Sequence, residues 1–178
     1  MAEDQRFAAR RPDVLVYETP PLEGEATLSG PIGVELHVKI STTDADFVVK
    51  VIDVFPDSAV DPEPNPRGVR LAGAQMLIRG DIMRGKFRTG YGTPQPFVPG
   101  EAAVVSFQLP DINHTLRPGH RLMVQVQSTW FPLADRNPQT FVDIGKATEA
   151  DFKPSHIHIL RSKTHASSIR VNVSRGRL

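Results

Sequence analysis

His156-Ile157-His158 sets two imidazoles two residues apart, so an extended chain presents both on one face at a spacing that can chelate a transition metal. No third ligand lies nearby in the sequence, and the pair reads better as the wet face of a strand near its end. Asp44, Asp46, Asp53 and Asp57 offer the oxygen ligands that calcium takes, but their spacing does not match an EF-hand loop. Solvated turn residues are the favoured reading. Acyl hydrolysis by serine would need a Gly-x-Ser-x-Gly elbow and a histidine held by a carboxylate. Ser29 precedes Gly30, but Thr27 occupies the first position of that motif. None of the six histidines stands in a recognisable frame with a serine and an aspartate, and the chain holds no cysteine for thiol or zinc-thiolate chemistry. No residue is therefore assigned a catalytic, cofactor-binding or metal-binding role, and no cofactor is expected.

Aromatic side chains are the remaining candidates. Tyr91, Phe97, Trp130, Phe131 and Phe141 fall in two long connections rather than in strands. They can serve as stacking platforms for a sugar, as anchors of an interdomain contact, or as ordinary burial beneath a folded-back loop. Arg79-Gly80-Asp81 lies between Ile78 and Ile82 and is discounted as an adhesion motif.

The elements that must position these residues alternate with a period of two. Val34, Leu36, Val38 and Ile40 share one face, as do Leu122, Val124 and Val126. Residues 13–17, 34–40, 103–109, 119–128, 156–160 and 168–173 read as strands, and residues 69–78 as an extended piece. Residues 47–55 are apolar except at Lys50 and Asp53, the signature of a central strand covered on both sides. Sixteen prolines and thirteen glycines punctuate the rest. Residues 57–68 form a Pro-rich loop, residues 84–100 a long connection, and Pro110 is expected to close its strand. Residues 129–155 make a loop long enough to imply function or docking. Short alternating strands with long crossing loops give an all-β class, a jelly-roll β-sandwich of two sheets.

Length and charge narrow the partners. A chain of 178 residues suits one domain that buries roughly 70% of its unfolded surface. The formal charge of +1 gives no electrostatic reason to expect nucleic acid or an anionic membrane as a partner. No apolar run is long enough for a spanning helix. The acidic, polar start Met1-Ala2-Glu3-Asp4-Gln5 does not resemble a secretory leader, and the compartment is left open.

The run Asp46-Phe47-Val48-Val49-Lys50-Val51-Ile52-Asp53-Val54-Phe55-Pro56-Asp57 resembles the signature strand of the X-Pro dipeptidyl-peptidase C-terminal domain. So do Pro118-Gly119-His120-Arg121, Phe131-Pro132 and Asp135-Arg136-Asn137-Pro138. The wider family is the peptidase S15 and cocaine esterase-like hydrolases. Asp4-Gln5-Arg6-Phe7, Arg11-Pro12-Asp13-Val14-Leu15, Asp111-Ile112-Asn113-His114 and Arg136-Asn137-Pro138-Gln139-Thr140 are most similar to its α-amino acid ester hydrolase and glutaryl-7-aminocephalosporanic acid acylase branch.

The resemblance implies a galactose-binding-domain-like jelly roll that follows an α/β-hydrolase domain carrying the Ser-His-Asp triad. On this reading residues 1–12 are a linker from that domain and residues 13–178 the sandwich. The chain alone is expected to be inactive, acting as the non-catalytic part of a serine acyl hydrolase. Trp130, Phe131, Asp135, Arg136 and Asn137 are the expected contact edge with the α/β-hydrolase domain of the same parent chain. A homo-oligomer through the same patch and a free-standing carbohydrate-binding module are the alternatives.

Overall fold

The computed structural model describes residues 4–178, so the first three residues of the expected linker lie outside the described residues. Two antiparallel sheets enclose one core. The first is ordered β1 (Val14–Glu18), β6 (Arg121–Gln127), β3 (Asp46–Val54), β4 (Gln75–Arg84). The second is built on β2 (Ala26–Ile40), which pairs with β5 (Ala102–Leu116) along one edge. Three short strands, β7 (Ile157–Ile159), β10 (Ser168–Arg170) and β11 (Val173–Gly176), also pair with β2. A small hairpin of β8 (Arg161–Ser162) and β9 (His165–Ala166) projects beside them. The chain crosses between sheets at nearly every long connection, which is the jelly-roll plan read from the alternation.

Strand β3 explains the architecture. Every one of its nine residues is buried, as its continuous apolar run predicts for a strand covered on both faces. Phe47, Val49 and Val51 enter the core against Leu36, Val38, Val105 and Leu109 of the other sheet. Val48, Lys50 and Ile52 lie on the opposite face. That face is covered by residues 4–9, including the single turn α1 (Arg6–Ala9), and by the chain after β6. Gln5 donates its backbone N–H to the Gln75 carbonyl at 2.8 Å, and Asp4 bridges to Met76. The described part of the expected linker thus packs on β4.

Several strand limits differ from the sequence expectation: β2 begins at Ala26 rather than at residue 34, and the strand expected over 168–173 divides between β10 and β11. The piece expected over 69–78 lies later, as β4, and Arg79-Gly80-Asp81 falls within that strand. Strand β5 runs through Pro110 to Leu116 instead of closing there. Its register with β2 shifts between Gly30 and Ile32, so Pro110 and Asp111 stand opposite Pro31 alone. Such a bulge accepts Pro31 and Pro110, which lack ladder donors, and Gly30 takes the positive φ of 80° that the bend requires.

Asp53 ties the sheets together at one end. Its two carboxylate oxygens sit 2.9 Å from His114 Nε2 on β5 and 2.7 Å from His120 Nδ1 before β6. Phe55 packs against the His120 ring with centroids 4.5 Å apart. A carboxylate that is 2% exposed is tolerable only with such partners, and removing them leaves a desolvated charge.

Candidate interdomain surface

The 27-residue connection over 129–155 is pinned along most of its length. At its start Gln127 Nε2 donates to the Thr129 carbonyl at 2.6 Å. Trp130 then folds over β3, where the Lys50 ammonium lies 4.7 Å from its ring centroid. Lys50 Nζ also donates to Gln5 Oε1 at 2.9 Å, so the loop and the N-terminal segment meet on one cation. Gly80 on β4 makes room for the indole. A β-carbon there would stand 2.8 Å from Trp130 Cη2 and 3.1 Å from Lys50 Cγ. Burial pushes the Lys50 ammonium down to about 8, with the nearby Arg11 guanidinium acting in the same direction.

A second anchor forms at Asn137, which is 6% exposed. Its Nδ2 donates to Asp46 Oδ1 at 2.8 Å, while its own Oδ1 accepts from the Gln139 backbone at 2.8 Å. Burial pushes the Asp46 carboxyl up to about 6, against the Asn137 hydrogen bond and the Arg84 guanidinium 3.5 Å away. Burial also raises the neighbouring Asp44, whose Oδ1 accepts from the backbone of Ala45 and Lys86. Beyond Asn137 the loop stays attached. Thr43 Oγ1 accepts from the Phe141 N–H, Lys86 Nζ donates to the Val142 carbonyl, and Thr42 and Ser155 share a hydroxyl contact of 2.7 Å.

Between the two anchors, residues 131–136 stand free of the body. Phe131 is 60% and Leu133 63% exposed, and Asp135 and Arg136 are exposed beside them. The Arg136 guanidinium lies 5.8 Å from the Phe131 ring and 5.5 Å from the exposed Phe152 ring. The expected contact edge therefore divides by burial. Trp130 and Asn137 face inward and fix the base of the loop, whereas Phe131, Asp135 and Arg136 form its tip. Leu133 and Phe152 extend that tip, although their sequence context gives no sign of it.

The acidic residues depart from expectation. Asp44, Asp46 and Asp53 are not solvated turn residues; they are at most 2% exposed. Asp44 and Asp46 stand at the start of β3 and Asp53 near its end; backbone amides bond one oxygen of Asp44, Asn137 one oxygen of Asp46, and histidine rings both oxygens of Asp53. Among the described residues no group of three or more histidine, aspartate or glutamate side chains is arranged to hold a metal ion. His156 and His158 are exposed on the rim of β7, the wet face expected of them. Of the aromatics, Phe97 is core, its ring tilted against Phe47 with centroids 6.1 Å apart, and Tyr91 is 77% exposed beside Phe87.

Comparison with known proteins gives the family and the fold. The family model for the X-Pro dipeptidyl-peptidase C-terminal non-catalytic domain matches residues 2–170. The cocaine esterase of Rhodococcus sp. (strain MB1 Bresler) is 31% identical over 166 residues, which cover 93% of this chain and 26% of the esterase. An aminopeptidase from a marine sediment Thaumarchaeota archaeon superposes with a TM-score of 0.89 at 39% identity, covering 98% of this chain and 28% of that one. An α-amino acid ester hydrolase gives the same TM-score and identity over 97% of this chain and 27% of its own. A CocE/NonD family hydrolase from Staphylococcus aureus, at 12% identity and a TM-score of 0.63, shares the fold. The chain thus spans about a quarter of the length of the relatives it matches. It belongs to the X-Pro dipeptidyl-peptidase C-terminal non-catalytic domain family, homologous to the corresponding part of cocaine esterase and α-amino acid ester hydrolase.

Proposed function

We propose that this domain buttresses the α/β-hydrolase domain of a serine acyl hydrolase acting on esters or amides, such as α-amino acid esters. The supporting observation is the loop tip of Phe131, Leu133, Asp135 and Arg136, which is exposed while both its ends are locked to the sandwich. Apolar and arginine side chains held on a rigid base suit an interdomain contact, because little loop entropy is lost on docking. The parent's serine would be acylated, its oxyanion stabilised and the acyl group passed to water by residues of the other domain. This domain would hold one wall of that acyl pocket.

The test is a pair of measurements. The isolated chain should turn over no aryl ester and give no active-site titration burst. Phe131→Ser with Leu133→Ser should leave the isolated chain's stability within about 0.5 kcal/mol. In the enzyme that carries the domain, the same pair should lower thermal stability and raise KM. Esterase turnover by the chain alone, or an unaffected double variant of the enzyme, would overturn the reading.

A further inference from the structure

The sandwich is closed along one side and open along the other. On the closed side β4 meets β5, where Arg79 donates to the Asp111 carbonyl at 2.8 Å and Asp53 joins His114 across the sheets. On the open side the β1 edge lies across from the three-residue strands β7 and β10 and from Arg161 of β8, which leave a gap beside it. Tyr17, Val124, Ile159 and Ile169 remain half-buried there, over a floor that includes Leu36 and Val126. They line a cleft of about 200 Å3 that opens to solvent between the sheets.

The rim of this cleft carries one charge. The Arg161 guanidinium rests 5.5 Å from the Tyr17 ring, and no carboxylate of the described residues lies within ion-pair distance of it. Two serines also line it: Ser168 is exposed, and Ser167 is already committed. Its hydroxyl accepts from the His37 N–H and donates to the Leu160 carbonyl at 2.7 Å. A ligand would therefore meet an apolar slot, a tyrosine face, a single forked cation and Ser168. We propose that this seam is a binding site for a small carboxylate with an apolar body, the body between the sheets and the carboxylate on Arg161.

Size and charge select that class. The cleft lies below the roughly 300 Å3 at which drug-sized pockets begin, so a single substituted ring or a short aliphatic chain fits and a peptide strand does not. Arginine presents a planar pair of donors that matches a carboxylate, and its stacking on Tyr17 keeps it at the rim. The inference is independent of the acyl-hydrolase proposal, because the seam is made by β1, β2, β6, β7, β8 and β10 and not by the 131–136 tip.

The experiment is a titration of the isotopically labelled 178-residue chain with 4-isopropylbenzoate and, separately, with its neutral amide, followed by amide resonances. Both should give saturable shifts at Tyr17, Val124, Ile159 and Ile169, with the carboxylate binding about three- to fivefold more tightly at low salt. Arg161→Gln should remove that preference and keep amide binding. Ile169→Trp should fill the cleft and abolish both, with well-dispersed resonances showing that the variant is folded. Absence of saturable shifts, or a carboxylate preference that survives Arg161→Gln, would overturn the assignment. So would concentration-dependent shifts at the same residues without ligand, which mark the seam as a contact with a second copy.

Discussion

Lys50 and Trp130 face each other across the outer side of β3, the ammonium 4.7 Å from the ring centroid. Neither residue is in its ordinary place. A lysine in the middle of a fully buried strand needs a cover, and an indole at the root of a surface loop needs a reason to stay there. Each supplies the other's requirement, with Gln5 as the third member and Gly80 as the gap that admits the ring. The base of the loop is held by this contact and by Asn137.

Gly80→Ala tests the closeness of that contact. A methyl group 2.8 Å from Trp130 Cη2 forces the ring away from Lys50. The expected cost is about 1–3 kcal/mol, typical of overpacking. Trp130 is the single tryptophan of the chain, so its fluorescence should shift to the red as the ring becomes wetter.

Lys50 sets a pH dependence on the alkaline side. Its native value near 8 lies below the ordinary 10.5, so the unfolded chain binds more protons between those limits. Stability should therefore rise as pH climbs from about 8 to 10.5, and the burial penalty is present in full below that window. Lys50→Met keeps an apolar stem beneath Trp130 and should flatten the rise. Urea denaturation of both proteins at pH 7 and pH 10 measures the difference.

Asp46 acts in the opposite direction on the acid side. Its native value near 6 lies above the ordinary 3.8, so the native state binds more protons between them. The contribution of this group should fall as pH rises from about 4 to 6, by at most about 3 kcal/mol. Asp46→Asn retains an acceptor for Asn137 and should remove that fall. Denaturation midpoints at pH 4.5 and pH 7, read as the difference from the unsubstituted chain, decide it.

Asn137→Ala should be costlier than its single side-chain hydrogen bond to Asp46 suggests. It strips a charge-assisted partner from a carboxylate that is 1% exposed and releases the turn at Gln139. A loss of about 2–3 kcal/mol is expected. Limited proteolysis should then cut within residues 131–136, which remain protected while the loop base is intact.

Cutting the sheet tie gives a prediction remote from the loop. Asp53→Ala leaves His114 and His120 without their shared acceptor and opens a space between β3 and β5. A loss of about 3 kcal/mol in denaturant stability is expected, with the Trp130 emission of the folded state unchanged.

Much of this protein is written in local pattern. The period-two alternation of β2 and β6, the apolar run of β3 and the absence of any long amphipathic stripe determine an all-β sandwich, because side chains on extended backbone must divide between two faces. The motifs around Asp46, His120 and Arg136 also mark the family. Lys50 and Asp53 stand out in the sequence as polar exceptions in an apolar strand, which signals that partners exist but not which ones. Their partners lie 45, 61 and 67 residues away, and only the closing of the sandwich brings Gln5, His114 and His120 to them. The same holds for the contact edge. Trp130 and Asn137 are no different in local sequence from Phe131 and Arg136, yet burial against Lys50 and Asp46 makes the first pair structural and leaves the second pair as surface. The position and facing of a strand are legible along the chain because their period is local. The partner of a buried charge is decided by tertiary packing, because desolvation penalises whatever charge the fold leaves without one.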